Sequence, residues 1–424
     1  MKLAVFTSQY PGRTTTFFER DMRALLEAGV DLDIFSIYPL NPQLRRYTLG
    51  ILDERVLAPE RIHHLDLVDC LRQARPGRLS RVTTFLRDAA AITVSAIRYG
   101  PGPLAKSLYV LPKAWTWAAR FRDRFDHVLA YWGNYAGTCA YAFHRLTNPA
   151  VPFSVWLHAG TDLYFQPVFL RQKLLHADTI ITCCAFNREF IHERFPDVAP
   201  AIAHKIHVCY HGLDLSAFPY EPDHRPPRTI IAVGRFAPDK GFDYLLRAVA
   251  HLSSRGIDVA LELVGAGPEG PALRRLAAEL GIADRVRFRG WLHFTEVHAA
   301  MRQATVLVHP SAGLGDGLPN VIREAMALGT PVIASRVAGI AEALDDGRCG
   351  MLVPTKDVGA LVEAMATLLA DGTLRRTYAE RARRWTEQRF DTWRNGAWLA
   401  DHLRSIRRAE PRPHPIALAP APDR

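Results

Sequence analysis

Short apolar runs alternate along this chain with longer stretches whose apolar residues recur every three or four positions. "KLAVFTS" reads as a strand, residues 14–28 as a helix, and "VDLDIFSIY" as a strand again. Residues 40–125 are less regular, with Pro and Gly at 76–77 and 100–103. Then "HVLAYWG", "PFSVWLH", "TIITCC" and "KIHVCYHG" follow as strands between helix-length segments. Nearly continuous apolar strands of this kind predict a parallel sheet covered on both faces. A Pro-rich, charged break, "FPYEPDHRPPRT" at 218–229, interrupts the alternation. It restarts more regularly with "IIAVGRF", "VALELVG", "VRFRGWL", "TVLVHPS" and "PVIAS". The fold class is therefore α/β, with two doubly wound units. The expected boundaries are 1–217, 218–385, a terminal helix at 386–409 that crosses back to the first domain, and a disordered Pro/Ala-rich tail at 410–424. Parallel sheets bind ligands at the carboxyl ends of their strands, so two such units facing one another would form a cleft.

Composition narrows the class. The 424 residues are 48% hydrophobic, which suits a soluble globular protein. Six scattered cysteines (Cys70, Cys139, Cys183, Cys184, Cys209, Cys349) have neither disulfide-framework nor zinc spacing, so a reducing cytosol is expected. The N-terminal apolar run is too short for a signal peptide, and no stretch is long enough for a membrane span. The net charge is +10, and twelve Lys or Arg against four Asp or Glu place +8 of it between Arg61 and Arg124. This is either a solvated helical surface or a face that meets an anionic membrane. Nucleic acid is not expected as a partner, because no recognition motif accompanies the charge. Leu104, Leu108, Leu111, Trp115 and Ala118 recur at helical spacing around Pro112. Core packing is the preferred reading, and peripheral membrane docking is the alternative.

Three motifs carry candidate chemistry. Gly265, Gly267 and Gly270 form G-x-G-x-x-G, but after the second strand of their unit and with no acid closing the next strand. A tight strand-to-helix turn fits better than a dinucleotide loop. In "VGRFAPDKGFDYLL", Arg235 and Lys240 flank a turn into a helix, where two cations and a helix N-terminus suit a diphosphate. In "HPSAGLGDGLPNVIREAMALGTPVIAS", Asp316 and Glu324 stand on either side of a turn, Gly317-Leu318-Pro319-Asn320, that opens a helix.

Together these motifs resemble the C-terminal domain of a family 4 retaining glycosyltransferase of the GT-B fold, of the exopolysaccharide or colanic-acid type. The likeness is specific over 229–354, including "AGIAEALDDGRCGMLV". It is looser over "PFSVWLHAGTDLYF", "ADTIITCCAFNREFI" and "VCYHGLDLSAF". It implies two Rossmann-like domains, the first for the acceptor and the second for a nucleotide-diphosphate sugar. It implies that Glu324 holds the ribose, and that Asp316, standing where the family has Glu, meets the transferred sugar. Arg235 and Lys240 would bind the diphosphate, Gly317 to Asn320 would offer backbone N–H groups, and "RGWLHF" would lie near the base. His158 would lie against the sugar, with Asp162 near it. His158, Asp316 and Lys240 are thus the implied catalytic residues. In place of the Gly-Gly loop many relatives have after the first strand, this chain has "SQYPGRTTTFFERD" with only Gly12; Thr14 to Thr16 could donate to ligand or cap a helix. The implied reaction retains configuration at the anomeric carbon without a side-chain nucleophile, metal or cofactor. The acceptor would be a glycan or lipid-linked, and the setting cytoplasmic, with possible association with the inner face of the membrane. A nucleotide-sugar epimerase or hydrolase, or a non-catalytic sugar-nucleotide or membrane-binding protein, is the alternative.

Overall fold

The computed structural model describes residues 1–12, 16–47, 50, 52, 54–73, 79–222, 228–315 and 317–406. Asp316, Thr14 and the tail 410–424 lie outside these described residues. The chain divides into two compact units: Met1–His211 with the chain from Trp393, and Gly212–Thr392.

The first unit is built on β1 (Lys2–Thr7), β2 (Asp31–Ser36), β3 (Ile62–His64), β4 (His127–Ala130), β5 (Phe153–Leu157), β6 (Thr179–Thr182) and β7 (Ile206–Val208). They form one sheet in the order β3-β2-β1-β4-β5-β6-β7, and every pair is parallel. The central strand shows why these sequences read as unbroken apolar runs. Leu3, Ala4, Val5 and Phe6 are all fully buried. Ala4 and Phe6 join one core and Leu3 and Val5 the other, as the two-residue strand period requires when helices cover both faces. Phe6 stacks on Phe35 at 4.7 Å and meets Trp117 edge-on at 6.0 Å.

The second unit contains β8 (Thr229–Val233), β9 (Ala260–Val264), β10 (Val286–Gly290), β11 (Val306–His309), β12 (Val332–Ser335) and β13 (Met351–Val353). These are ordered β10-β9-β8-β11-β12-β13 and are again parallel throughout. Winding outward from the first strand in both directions leaves a topological switch point between β1 and β4, and between β8 and β11. The loops at the carboxyl ends of those pairs part there and leave a crevice.

The irregular stretch before β4 contains three helices, Leu67–Arg72, Leu79–Ile97 and Pro101–Arg120. Pro112 lies inside the last one without ending it. Burial of Leu111, Ala114, Trp117 and Ala118 in the core outweighs the missing N–H. In the apolar series around it, Leu104 and Trp115 also pack against that core, and only Leu108 is exposed. Core packing therefore accounts for most of that run.

The helix Thr392–Ser405 buries Leu399, Ala400 and Leu403 in the first unit. Gly396 lets it approach closely, since a Cβ there would lie 2.3 Å from the Cβ of Ala24. At the amino end of the sheet His127 is fully buried, with Nε2 2.5 Å from Ser154 Oγ. Burial, with His144 and His402 nearby, pushes its pKa down to about 3. An imidazole whose folded pKa lies below its unfolded value near 6.5 takes up its proton only on unfolding, so stability drains away as pH falls between the two values. The free energy of unfolding is expected to fall between pH 6.5 and pH 4. In His127→Gln that slope should be shallower, as read by urea unfolding at each pH.

Candidate functional site

The second unit's site starts with the loop that leaves β8. After Val233 the chain runs through Gly234 and Arg235 into a short 3-10 turn, Pro238–Lys240, and then into the helix Phe242–Ser254. The hinge is Gly241, at φ +66°, where a Cβ would lie 2.1 Å from the carbonyl oxygen of Pro310. Only a glycine lets this loop sit so tightly on the loop that leaves β11. The N–H of Ala312 donates to the Asp239 carbonyl at 2.8 Å, and Gly315 packs against the Asp239 carboxylate, where a Cβ would meet Oδ2 at 2.0 Å. Two loops from neighbouring strands are thereby fastened at the switch point.

Asp239 also sets the cations. Its carboxylate lies 3.7 Å from Arg235 Nη2 and 3.8 Å from Lys240 Nζ. The Lys240 side chain is 11% exposed, whereas that of Arg235 is 67% exposed. Arg235 and Lys240 are therefore brought together on Asp239, the first exposed and the second nearly buried. On the β11 side Gly317, Leu318 and Pro319 are buried, and the Gly317 carbonyl accepts from Gly339 N–H at 2.9 Å. The helix Asn320–Ala327 follows directly, so its first N–H groups face the loop's end. Asn320 Oδ1 accepts from Arg323, which is wholly buried over the Phe390 ring at 5.5 Å. Glu324, on the first turn and a half of this helix, is 8% exposed, with Oε2 3.7 Å from His298 Nε2. The His298 ring is held between Phe218 at 4.7 Å and Phe294 at 5.9 Å.

The G-x-G-x-x-G stretch supports the same place structurally. A Cβ on Gly265 would lie 1.9 Å from the Gly234 carbonyl, and one on Gly267 would lie 2.3 Å from the Phe236 carbonyl. Phe236 N–H donates to the Ala266 carbonyl at 3.0 Å. These glycines let the loop after β9 pack backbone to backbone beneath the Arg235 loop, which is the tight-turn reading.

The first unit has its own cluster at the carboxyl ends of its strands. His158 follows β5 and is 5% exposed. Its N–H donates to Asp162 Oδ2 at 2.9 Å, and Asp162 Oδ1 accepts from Asn134 N–H at 2.7 Å. The ring lies against Trp132 at 4.3 Å and is parallel to His211 at 4.9 Å, with 5° between the planes. Among the described residues its ring nitrogens have no hydrogen-bond partner; Nδ1 is 3.6 Å from Asp162 Oδ2. His211 Nδ1 is 2.6 Å from Asp21 Oδ2, and that same oxygen accepts from the Tyr131 hydroxyl at 2.5 Å. Burial pulls the His211 pKa down, but the charge and hydrogen bond of Asp21 outweigh it, and the imidazole is held above its usual value. Burial first, and then Asp21, push the Tyr131 phenol well above its own. Beneath the Trp132 loop, burial lowers the Lys173 pKa to about 7. The amine donates to the carbonyls of Gly133, Asn134 (3.2 Å) and Val168 (2.9 Å).

Asp21, Tyr131, Lys173, His211 and His298 were not singled out from the sequence. The available signal was "FFERD", three consecutive charges in a helix that prove buried, and the histidine of "VCYHGLDLSAF".

Residues 227–371 match the sequence model of the family described as Glycosyl transferases group 1. The GDP-mannose-dependent alpha-(1-6)-phosphatidylinositol monomannoside mannosyltransferase of Mycolicibacterium smegmatis is 34% identical over 213 residues, which cover 47% of this chain and 56% of that protein. The lipopolysaccharide core biosynthesis glycosyltransferase LpsE of Rhizobium meliloti is 38% identical over 36% of this chain and 42% of its own. The chain thus spans about half the length of the curated relatives it matches. The structure of HepE from Anabaena, in complex with UDP, superposes with a TM-score of 0.68 at 18% identity over 96% of this chain and 99% of that one, which extends the likeness in fold to both units.

The seat of the β8 loop is testable by contrast between two left-handed glycines. Gly241→Ala is expected to cost roughly 2 kcal/mol or more, because backbone strain adds to the collision with Pro310. Gly256→Ala, at φ +76° with nothing within 4 Å, should cost only about 1 kcal/mol. Thermal unfolding of both variants decides this. Residues 227–371, within the second unit, thus match the Glycosyl transferases group 1 family, and both units share the fold of HepE.

Proposed function

We propose that this protein transfers a sugar from a nucleotide-diphosphate donor to a glycan or lipid-linked acceptor, with retention of configuration and without a catalytic metal or other cofactor. The observation that carries this reading is the fastened pair of loops at the β8–β11 switch point. It combines a nearly buried Lys240, an exposed Arg235, a helix start at Asn320 and a buried acid at Glu324. A leaving diphosphate needs fixed positive charge that costs no reorganisation during reaction, and Lys240 with the helix N–H groups supplies it. Arg235 would close over the phosphates. The Glu324 carboxyl oxygens would accept from the ribose hydroxyls. The resemblance assigns Asp316 and His158 to the transferred sugar; Asp162 accepts from the His158 N–H at 2.9 Å. HepE has been captured with UDP-glucose, and the mycobacterial relative is named for GDP-mannose, so the relatives leave the base and sugar open. The epimerase, hydrolase and non-catalytic alternatives gain no support from a particular observation.

Thermal-shift screening against nucleoside diphosphates and their sugars is the direct experiment. A true donor at a hundred times its dissociation constant should stabilise the protein by about 2.7 kcal/mol. With that donor, Lys240→Ala is expected to lower kcat by about 10²- to 10³-fold while the unfolding midpoint in the absence of ligand stays nearly unchanged. Parallel losses of stability and turnover would reduce Lys240 to a structural residue.

A further inference from the structure

The helix Leu79–Ile97 is apolar towards the core and apolar again on its outward side. Its buried positions are Asp88, Ile92 and Ala96, and Asp88 is neutralised there by Arg145 at 3.1 Å. Its outward stripe, in steps of three and four, is Leu79, Thr83, Leu86, Ala90, Val94 and Ile97. Leu79 is 79% exposed, Leu86 60%, Val94 61% and Ile97 57%. The neighbouring helix Leu67–Arg72 adds Val68 and Leu71, at 51% and 78%. Between the two helices and Pro101–Arg120 opens a groove of about 550 Å³, lined by Leu71, Val82, Phe85 and Trp115. Of thirteen large hydrophobic side chains exposed among the described residues, eight lie between Leu67 and Leu108. An aliphatic face this continuous calls for a partner.

The rim selects the partner. Arg72, Arg87, Arg98 and Lys106 are all exposed around this face, against Asp66 and Asp69 at one edge. Two copies placed face to face would press these cations together. An anionic lipid surface offers phosphates to the rim and an apolar boundary to the stripe. No described helix is long and apolar enough to cross a membrane, so contact would be in the plane of the interface.

We propose that helices Leu67–Arg72 and Leu79–Ile97 dock this protein onto an anionic bilayer, with the aliphatic stripe in the headgroup–acyl boundary and the arginines on lipid phosphates. This goes beyond the transfer chemistry and stands without it. The face lies upstream of Pro101–Arg120, whose apolar residues are largely spent on the core.

Flotation of the full chain with vesicles tests the proposal. The protein should float with phosphatidylcholine vesicles containing phosphatidylglycerol at low salt, and much less with phosphatidylcholine alone or at high salt. Leu86→Gln with Val94→Gln should reduce the bound fraction at least about tenfold at an unchanged unfolding midpoint. R87E with R98E should weaken it by a similar factor. Failure of the parent protein to float at low salt would overturn the proposal, as would undiminished flotation of the Leu86/Val94 variant. A concentration-dependent dimer in sedimentation, abolished by the same leucine and valine changes, would instead assign the face to a second copy.

Discussion

The seat of one loop on another, at the Pro310 carbonyl, is the constraint on which the second unit's chemistry depends. Without a side chain at Gly241 the loop after β8 can reach the loop after β11, and the Asp239 carbonyl can accept from Ala312. Asp239 is then held where its carboxylate lies between Arg235 and Lys240. A backbone contact thus places the carboxylate that lies between the two cations. In the transfer reaction proposed above, preorganisation of this kind would be the main contribution, since a leaving anion has to be stabilised.

The first unit achieves rigidity by a different route. Asp21, Tyr131 and His211 share one buried carboxylate oxygen, and the His211 ring carries His158 in parallel stack. A buried ion pair gains little net stability over a well-packed apolar cluster, because desolvation consumes most of its attraction. What it gives is direction: the hydrogen bonds fix the plane of His211, and hence that of the ring resting on it. Asp162 fixes the His158 backbone, and Lys173 fixes the loop bearing Trp132.

The sheets were legible in the sequence because burial on both faces leaves an unmistakable apolar run, as at Leu3 to Phe6. The Arg235–Lys240 turn and the Gly317–Glu324 segment were legible because chemistry and helix start fall within a few residues of each other. The Asp21–His211 pair was not, since its partners are separated by 190 positions and nothing local announces that a charged helical residue points inward. The outward stripe of Leu79–Ile97 escaped notice for the converse reason. Its period is helical, and a period alone does not say which face the core will take. The Leu104–Ala118 series has the same period and is mostly core.

Two histidines of the first unit show how far placement decides chemistry. His127 stands at the amino end of β4 and His211 just beyond the carboxyl end of β7, and both are nearly inaccessible. Burial alone would strip the proton from each. At His127 burial prevails, with His144 and His402 adding to it and only a hydrogen bond at the Leu403 backbone opposing, and the ring stays neutral down to about pH 3 as a packing and hydrogen-bonding group against Ser154 and the terminal helix. At His211 a carboxylate 2.6 Å away reverses the outcome. The amino ends of these strands are closed by a helix, and neutral groups suffice there. The carboxyl ends open into loops, where charge can be supported by an acid from a neighbouring helix. The same side chain therefore serves stability at one end of the sheet and electrostatics at the other, and the difference lies in its partners, Asp21 first and Cys183 after it.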